Sequence, residues 1–206
     1  MVLSSPINSR APRRLARRVV YGGLLALAVA LPLAAVAAGP PNSNDIDVAV
    51  RRDGRAIVID VNLLVDASPQ QAWKVLTDYD HMARFVSSLT MSRVLARSDG
   101  KLEVAQISHF GLGPFGLKFE NLREVELTAP LEIHSRLIRG DMKASTFTTR
   151  LVPEGGATRI FNHGRIVPDR WIPPVIGIPV LRTATRKQWS ELRAEILRRV
   201  HHAAPW

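Results

Sequence analysis

The chain contains no cysteine, which excludes disulfides, thiolate zinc sites, thiol nucleophiles and a lipid anchor on cysteine. Internal repeats and low-complexity tracts are also absent. No H-E-x-x-H pattern occurs, and His81, His109, His134, His163, His201 and His202 are scattered without carboxylates at ligand spacing, so neither a metal nor another cofactor is expected. No serine stands in a nucleophile elbow, and no catalytic residue can be assigned. The net charge of +10 comes with no aromatic-rich basic motif. Half of it belongs to Arg10, Arg13, Arg14, Arg17 and Arg18, leaving 23 basic against 18 acidic residues in the rest of the chain. Those remaining charges alternate in sign or cluster on one helix face, which reads as a solvated surface and excludes nucleic acid as a partner.

The 206 residues, 46% of them hydrophobic, suit one domain with a sizeable core. Residues 1–38 read as a signal peptide. The five arginines precede the apolar run Val19–Leu31, then Pro32, then small residues, and both Ala35-Val36-Ala37 and Val36-Ala37-Ala38 fit the cleavage pattern. The alternative is an uncleaved anchor over Val19–Ala38, about the ~20 residues that span hydrocarbon. Either way the domain is expected outside the cytoplasm, periplasmic or secreted.

A linker is expected over 39–55 and a folded domain over 56–202. The first strand, Ala56–Val65, alternates Ile57, Ile59, Val61, Leu63 and Val65 with Val58, Asp60, Asn62 and Leu64. Ser68-Pro69-Gln70-Gln71 is a capping box that opens a helix with Trp73, Leu76 and Tyr79 as apolar members, and a second helical turn follows over Asp80–Phe85. Six strands come next: Thr90–Arg97, Leu102–His109, Leu117–Leu127, Leu131–Arg139, Lys143–Leu151 and Thr158–Val167. Their separators, such as Ser98-Asp99-Gly100 and Glu154-Gly155-Gly156, are short enough for hairpins, so the sheet should be an antiparallel meander. The chain closes with a proline-rich connector, Trp171–Pro179, and a helix over Val180–Val200. Leu181, Thr185, Gln188, Leu192, Ile196 and Val200 share one face of it, with charges on the others. The fold class is α+β: a curved antiparallel sheet of about seven strands around a long terminal helix, with two short helices after the first strand.

The stretch Val65-Asp66-Ala67-Ser68-Pro69-Gln70-Gln71-Ala72-Trp73-Lys74-Val75-Leu76-Thr77-Asp78-Tyr79 and the connector Pro168-Asp169-Arg170-Trp171-Ile172-Pro173-Pro174 resemble the START-like (SRPBCC) superfamily. The likeness is to its bacterial polyketide cyclase/dehydrase and coenzyme Q-binding branch, over about Ile57–Val200. It implies the helix-grip fold and a cavity between sheet and terminal helix for a lipid, quinone, isoprenoid or cyclic polyketide. It supplies no shared catalytic motif.

Two functions remain open: an exported, monomeric carrier or chaperone for a lipophilic small molecule, and a cyclase- or aromatase-type enzyme on a polyketide-like chain. Export favours the first, because polyketide cyclisation uses chains tethered to cytosolic carriers. The expected ligand-binding residues are Phe119, Asn121, Arg123 and Val125 on one strand face and Leu181, Thr185, Gln188 and Leu192 on the helix. By parity Phe119, Asn121, Arg123 and Val125 point opposite to Lys118, Glu120, Glu124 and Glu126. An inward arginine must be paired or hydrated. It is a structural ion pair, a side chain reaching the sheet's open end, or a cationic or hydrogen-bonding anchor for a ligand head group. Gly111-Leu112-Gly113-Pro114-Phe115-Gly116 has dinucleotide-binding spacing but is followed by a strand where a helix is needed. It reads as a hairpin loop, or as an apolar flap in which Phe110, Leu112 and Phe115, with Trp171, form a cavity entrance able to touch a membrane surface transiently.

Overall fold

A computed structural model describes residues 46–110, 117–169 and 174–203. The leader, the segment with Leu112 and Phe115, and Trp171 lie outside these residues.

Eight antiparallel strands form one sheet in the order β1-β2-β8-β7-β6-β5-β4-β3. They are β1 (Asp47–Asp53), β2 (Ala56–Val65), β3 (Leu89–Ser98), β4 (Lys101–Phe110), β5 (Leu117–Thr128), β6 (Glu132–Gly140), β7 (Met142–Glu154) and β8 (Ala157–Pro168). β3 to β8 make the expected meander, and β2 closes onto β8 with Ile57 opposite Ile166 and Val65 opposite Thr158. The alternation in β2 is realised: Ile57, Ile59, Val61, Leu63 and Val65 are all buried.

Helix α1 (Pro69–Leu76) has its capping box. The Gln71 amide donates to Ser68 Oγ at 3.3 Å and the Ser68 amide to Gln71 Oε1 at 2.8 Å, so two of the donors that a helix start leaves unpaired are satisfied reciprocally. A 3-10 turn over Tyr79–Arg84 follows, and helix α2 (Pro174–Ala203) ends the fold.

Two boundaries differ from expectation. Part of the stretch assigned to the linker is β1, which pairs with β2 through a turn at Gly54, giving eight strands. Ile46, Val48 and Val50 are buried and alternate with exposed Asp47, Ala49 and Arg51. The pattern is too short, and too close to Arg51-Arg52-Asp53, to stand out as a strand. Yet β1 is a strand against which α2 packs, together with β2 and α1. Helix α2 begins at Pro174, six residues before the expected start, and carries Pro179 inside it. Proline is compatible with a first helical turn, and one missing N–H costs a single rung, so proline content overstated the length of the connector.

The inner face of α2 is also wider than expected. Leu192 and Ile196 are buried as foreseen, and Trp189 and Glu195 join them. Glu195 tolerates burial because Arg198 donates to both of its oxygens at 2.6 Å and Arg199 adds a third bond at 2.7 Å. The pairing is also electrostatic: the Arg198 hydrogen bond, followed by Arg199, outweighs burial and pulls the Glu195 carboxyl down to about 2. Arg199 also donates to Asp78 at 2.8 Å, tying the end of α2 to the segment after α1.

Candidate ligand site on the inner sheet face

β5 runs from the half-open end of the sheet, where Phe119, Asn121 and Arg123 are only partly covered, to the sealed end, where Val125 is 1% exposed. Its outward residues are taken up with one another and with neighbouring strands: Lys118 pairs with Glu120, Lys101 with Glu126 at 2.6 Å, and Arg136 with Glu124 at 2.8 Å. The outer acids are therefore engaged on the far face of the sheet from Arg123.

Antiparallel register decides what surrounds the inner residues. Arg123 lies opposite Val104 of β4 and Leu137 of β6, with Ser135 one inner position further along. Ser135 faces Phe147 of β7, and Phe147 faces Gly164 of β8. The Arg123 Nη2 group donates to Ser135 Oγ at 2.9 Å, and its guanidinium carbon sits 4.8 Å from the centre of the Phe147 ring. The ring itself lies against Gly164, where an added Cβ would be 2.3 Å from its Cε1. The glycine thus makes room for the ring, and the ring supports the cation.

Among the described residues no carboxylate pairs with Arg123. Burial pulls its pKa down to about 10, opposed by the nearby Tyr79 phenol. Burial pushes Tyr79 up to about 12, opposed by Arg123. At neutral pH the pair is therefore a cationic guanidinium beside a neutral phenol. Other polar groups share the face. Asn162 donates to Thr149 Oγ1 at 2.8 Å and Gln106 to Ser92 Oγ at 3.1 Å. Asn121 Oδ1 and Ser145 Oγ are buried without a hydrogen-bond partner among the described residues.

Of the expected ligand-binding residues, Phe119, Asn121 and Arg123 come together on this half-covered surface. Leu181, Thr185 and Gln188 are half-buried on α2 and continue the face of Leu192 and Ile196 towards the helix start. Val125 and Leu192 belong instead to the packed core, where neither meets open space. β4 ends at Phe110, paired with Leu117, where the chain leaves the described residues. Sequence reasoning missed Tyr79, Ser135, Phe147 and Gly164. Tyr79 passed for a packing residue of α1, and the other three are set beside Arg123 by strand register, which the spacing within β5 does not carry. The inwardness of Ser135 and Phe147 was legible from strand parity, but their adjacency was not.

Away from this face, a depression of about 470 Å³ lies between the 3-10 turn and the end of α2, lined by Asp78, His81, Arg84, Phe85, Glu195, Arg198 and Arg199. Its carboxylates are consumed by its own cations, since His81 also meets Asp78 at 2.7 Å, so it fastens two elements together. Among the described residues no group of histidines and acids could hold a metal ion, and no helix is long and apolar enough to cross a membrane.

No curated protein matches the sequence. Solved structures share the fold. A STAR-related lipid transfer protein from Xanthomonas axonopodis superposes with a TM-score of 0.62 at 12% identity, over 74% of this chain and 94% of that one. A START superfamily protein from Mycobacterium smegmatis gives 0.60 at 14%, over 68% and 97%. A Streptomyces aromatase/cyclase gives 0.58 at 14%, over 70% and 96%. Residues 65–188, from the end of β2 through the first half of α2, match the family described as polyketide cyclase/dehydrase and lipid transport. With the helix-grip sheet, its capped α1 and the long terminal helix in place, the chain belongs to the polyketide cyclase/dehydrase and lipid transport family.

Proposed function

We propose that this protein is an exported carrier or chaperone for a lipophilic small molecule, held between the inner face of the sheet and the first half of α2. The observation that carries the reading is the change in burial along that face. Val104, Val125, Leu151 and Ile160 are sealed in the packed core, whereas Phe119, Asn121, Arg123 and Phe147 remain partly covered. Leu181, Thr185 and Gln188 are half-covered on the helix. Large apolar groups with a few convergent polar ones are what a small-molecule site requires. The basic, apolar and small-residue order of residues 1–38 supports delivery outside the cytoplasm, where membrane lipids, quinones and isoprenoids are the available apolar cargo. The apolar residues Phe110, Leu112, Phe115 and Trp171, in the segments that join β4 to β5 and β8 to α2, suit a brief membrane contact for loading.

One observation favours a second reading, a cyclase or aromatase acting on a polyketide-like chain: the phenol of Tyr79 and the guanidinium of Arg123 lie near each other, both half-covered. Native mass spectrometry and lipid extraction of the protein purified from its own compartment separate the two. A bound apolar molecule released with unchanged mass supports the carrier. Conversion of a polyketide-like substrate would replace it with the enzyme, and protein free of any apolar ligand in every preparation would remove the carrier.

A further inference from the structure

We propose that the head of the bound ligand is a single carboxylate and that Arg123 is its counter-charge, so that the cargo class is the amphipathic long-chain acids and not neutral isoprenoids, quinones or alcohols. This rests on the reading of the inner face as a lipophilic site. A guanidinium carries five N–H donors, and Arg123 uses one of its own on Ser135. Its contact with Phe147 consumes none, because the ring offers its electron-rich face. The remaining donors meet no carboxylate among the described residues, whereas Arg136, Arg150 and Arg159 on the outer face each have one. A half-covered cation that no carboxylate of the fold neutralises is suited to take its counter-charge from a ligand.

The surroundings narrow that something to a monoanion. Tyr79 is neutral because burial pushes its phenol to about 12, and Ser135, Asn121 and Ser145 carry no charge. The site therefore offers one positive charge and neutral polar groups, among them the unpartnered Ser145 hydroxyl, which can donate to a carboxylate. A planar carboxylate matches the donor fork of one arginine, whereas a phosphate monoester carries about −1.5 to −2 charges at pH 7. The support is built into the sheet: Gly164 admits the Phe147 ring, and Phe147 and Ser135 hold the guanidinium from two sides. Phe119, one inner position beyond Asn121 on β5, and Leu181 on α2 supply apolar surface for the chain of the acid.

Delipidated full-length protein titrated with dodecanoate, dodecanol and dodecyl phosphate tests the inference. Dodecanoate should bind roughly 10-fold or more tightly than dodecanol, the factor expected for a hydrogen bond to a charged group. Arg123→Met should abolish that preference, and Arg123→Lys, which keeps the charge and loses the fork, should retain part of it. The comparison of acid with alcohol on the wild-type protein stands even if a variant fails to fold. Equal binding of acid and alcohol overturns the head-group assignment and leaves the lipophilic site intact. Preference for dodecyl phosphate, or an acid preference that survives Arg123→Met, also overturns it. Failure of all three probes to bind removes the lipophilic reading as well.

Discussion

Replacing Gly164 by alanine should destabilise the protein through one ring and nothing else. Gly164 does not sit at positive φ, so the backbone accepts a side chain. The obstacle is Phe147: the new Cβ would stand 2.3 Å from Cε1, 2.5 Å from Cδ1 and 3.2 Å from Cζ. The ring must swing out of the groove it occupies. Overpacking of this kind costs about 1–3 kcal/mol, and losing the support of Arg123 adds about 0.5–1 kcal/mol. Against this, alanine restricts the unfolded chain and returns about 0.4–1 kcal/mol. The net loss is about 1–3 kcal/mol, which for a domain of this size lowers Tm by roughly 2–4 °C per kcal/mol. A double-mutant cycle isolates the cause: in a Phe147→Ala background the same glycine substitution should be neutral or slightly stabilising. Thermal melts of the four proteins decide the matter. An equal penalty for Gly164→Ala in both backgrounds would refute the idea that the glycine exists to seat the ring.

Three further outcomes are expected. Glu195→Gln should lower Tm at neutral pH. Because the Glu195 carboxyl lies at about 2 in the fold against 4.5 ordinarily, its contribution is complete above about pH 5 and fades as pH falls from 4.5 towards 2; the melting curves of variant and wild type should converge there, and a pH-independent gap would contradict the ion-pair account. Truncation after Pro179 should abolish cooperative unfolding, since Trp189, Leu192 and Ile196 leave the core at roughly 1.5–3 kcal/mol each, against a whole-domain stability of about 5–15 kcal/mol; a soluble truncation with a sharp melt would contradict the architecture. N-terminal sequencing of the protein recovered from its own cells should find a start at residue 38 or 39 if the leader is cleaved, whereas an intact Met1 on membrane-bound protein would make Val19–Ala38 an anchor.

The period-2 pattern of β2 and of the six later strands, the capping box at Ser68 and the apolar face of α2 all act within a few residues of one another, and each was readable from the chain. The same is true of the inward direction of Arg123, which follows from the alternation of β5 alone. β1 escaped because it is short and charged, and its buried alternation has meaning only beside β2 and beneath α2. The burial of Trp189 and Glu195 was not foreseen for a related reason. How wide a helix face is buried depends on what packs against it, and Glu195 is stable inside only because Arg198 and Arg199 reach it.

What the sequence determined by itself is therefore the set of elements apart from β1, their order and the fact that a cation points inward from β5. Tertiary structure decided what that cation meets. Arg123, Ser135, Phe147 and Gly164 are separated by 12, 12 and 17 positions along the chain, and only the registers of β5 with β6, β6 with β7 and β7 with β8 bring them side by side. Strand pairing is a contact between distant segments, set by turn lengths and by the burial of whole faces. The partners of an inward side chain are consequently fixed by the assembled sheet and not by its own strand.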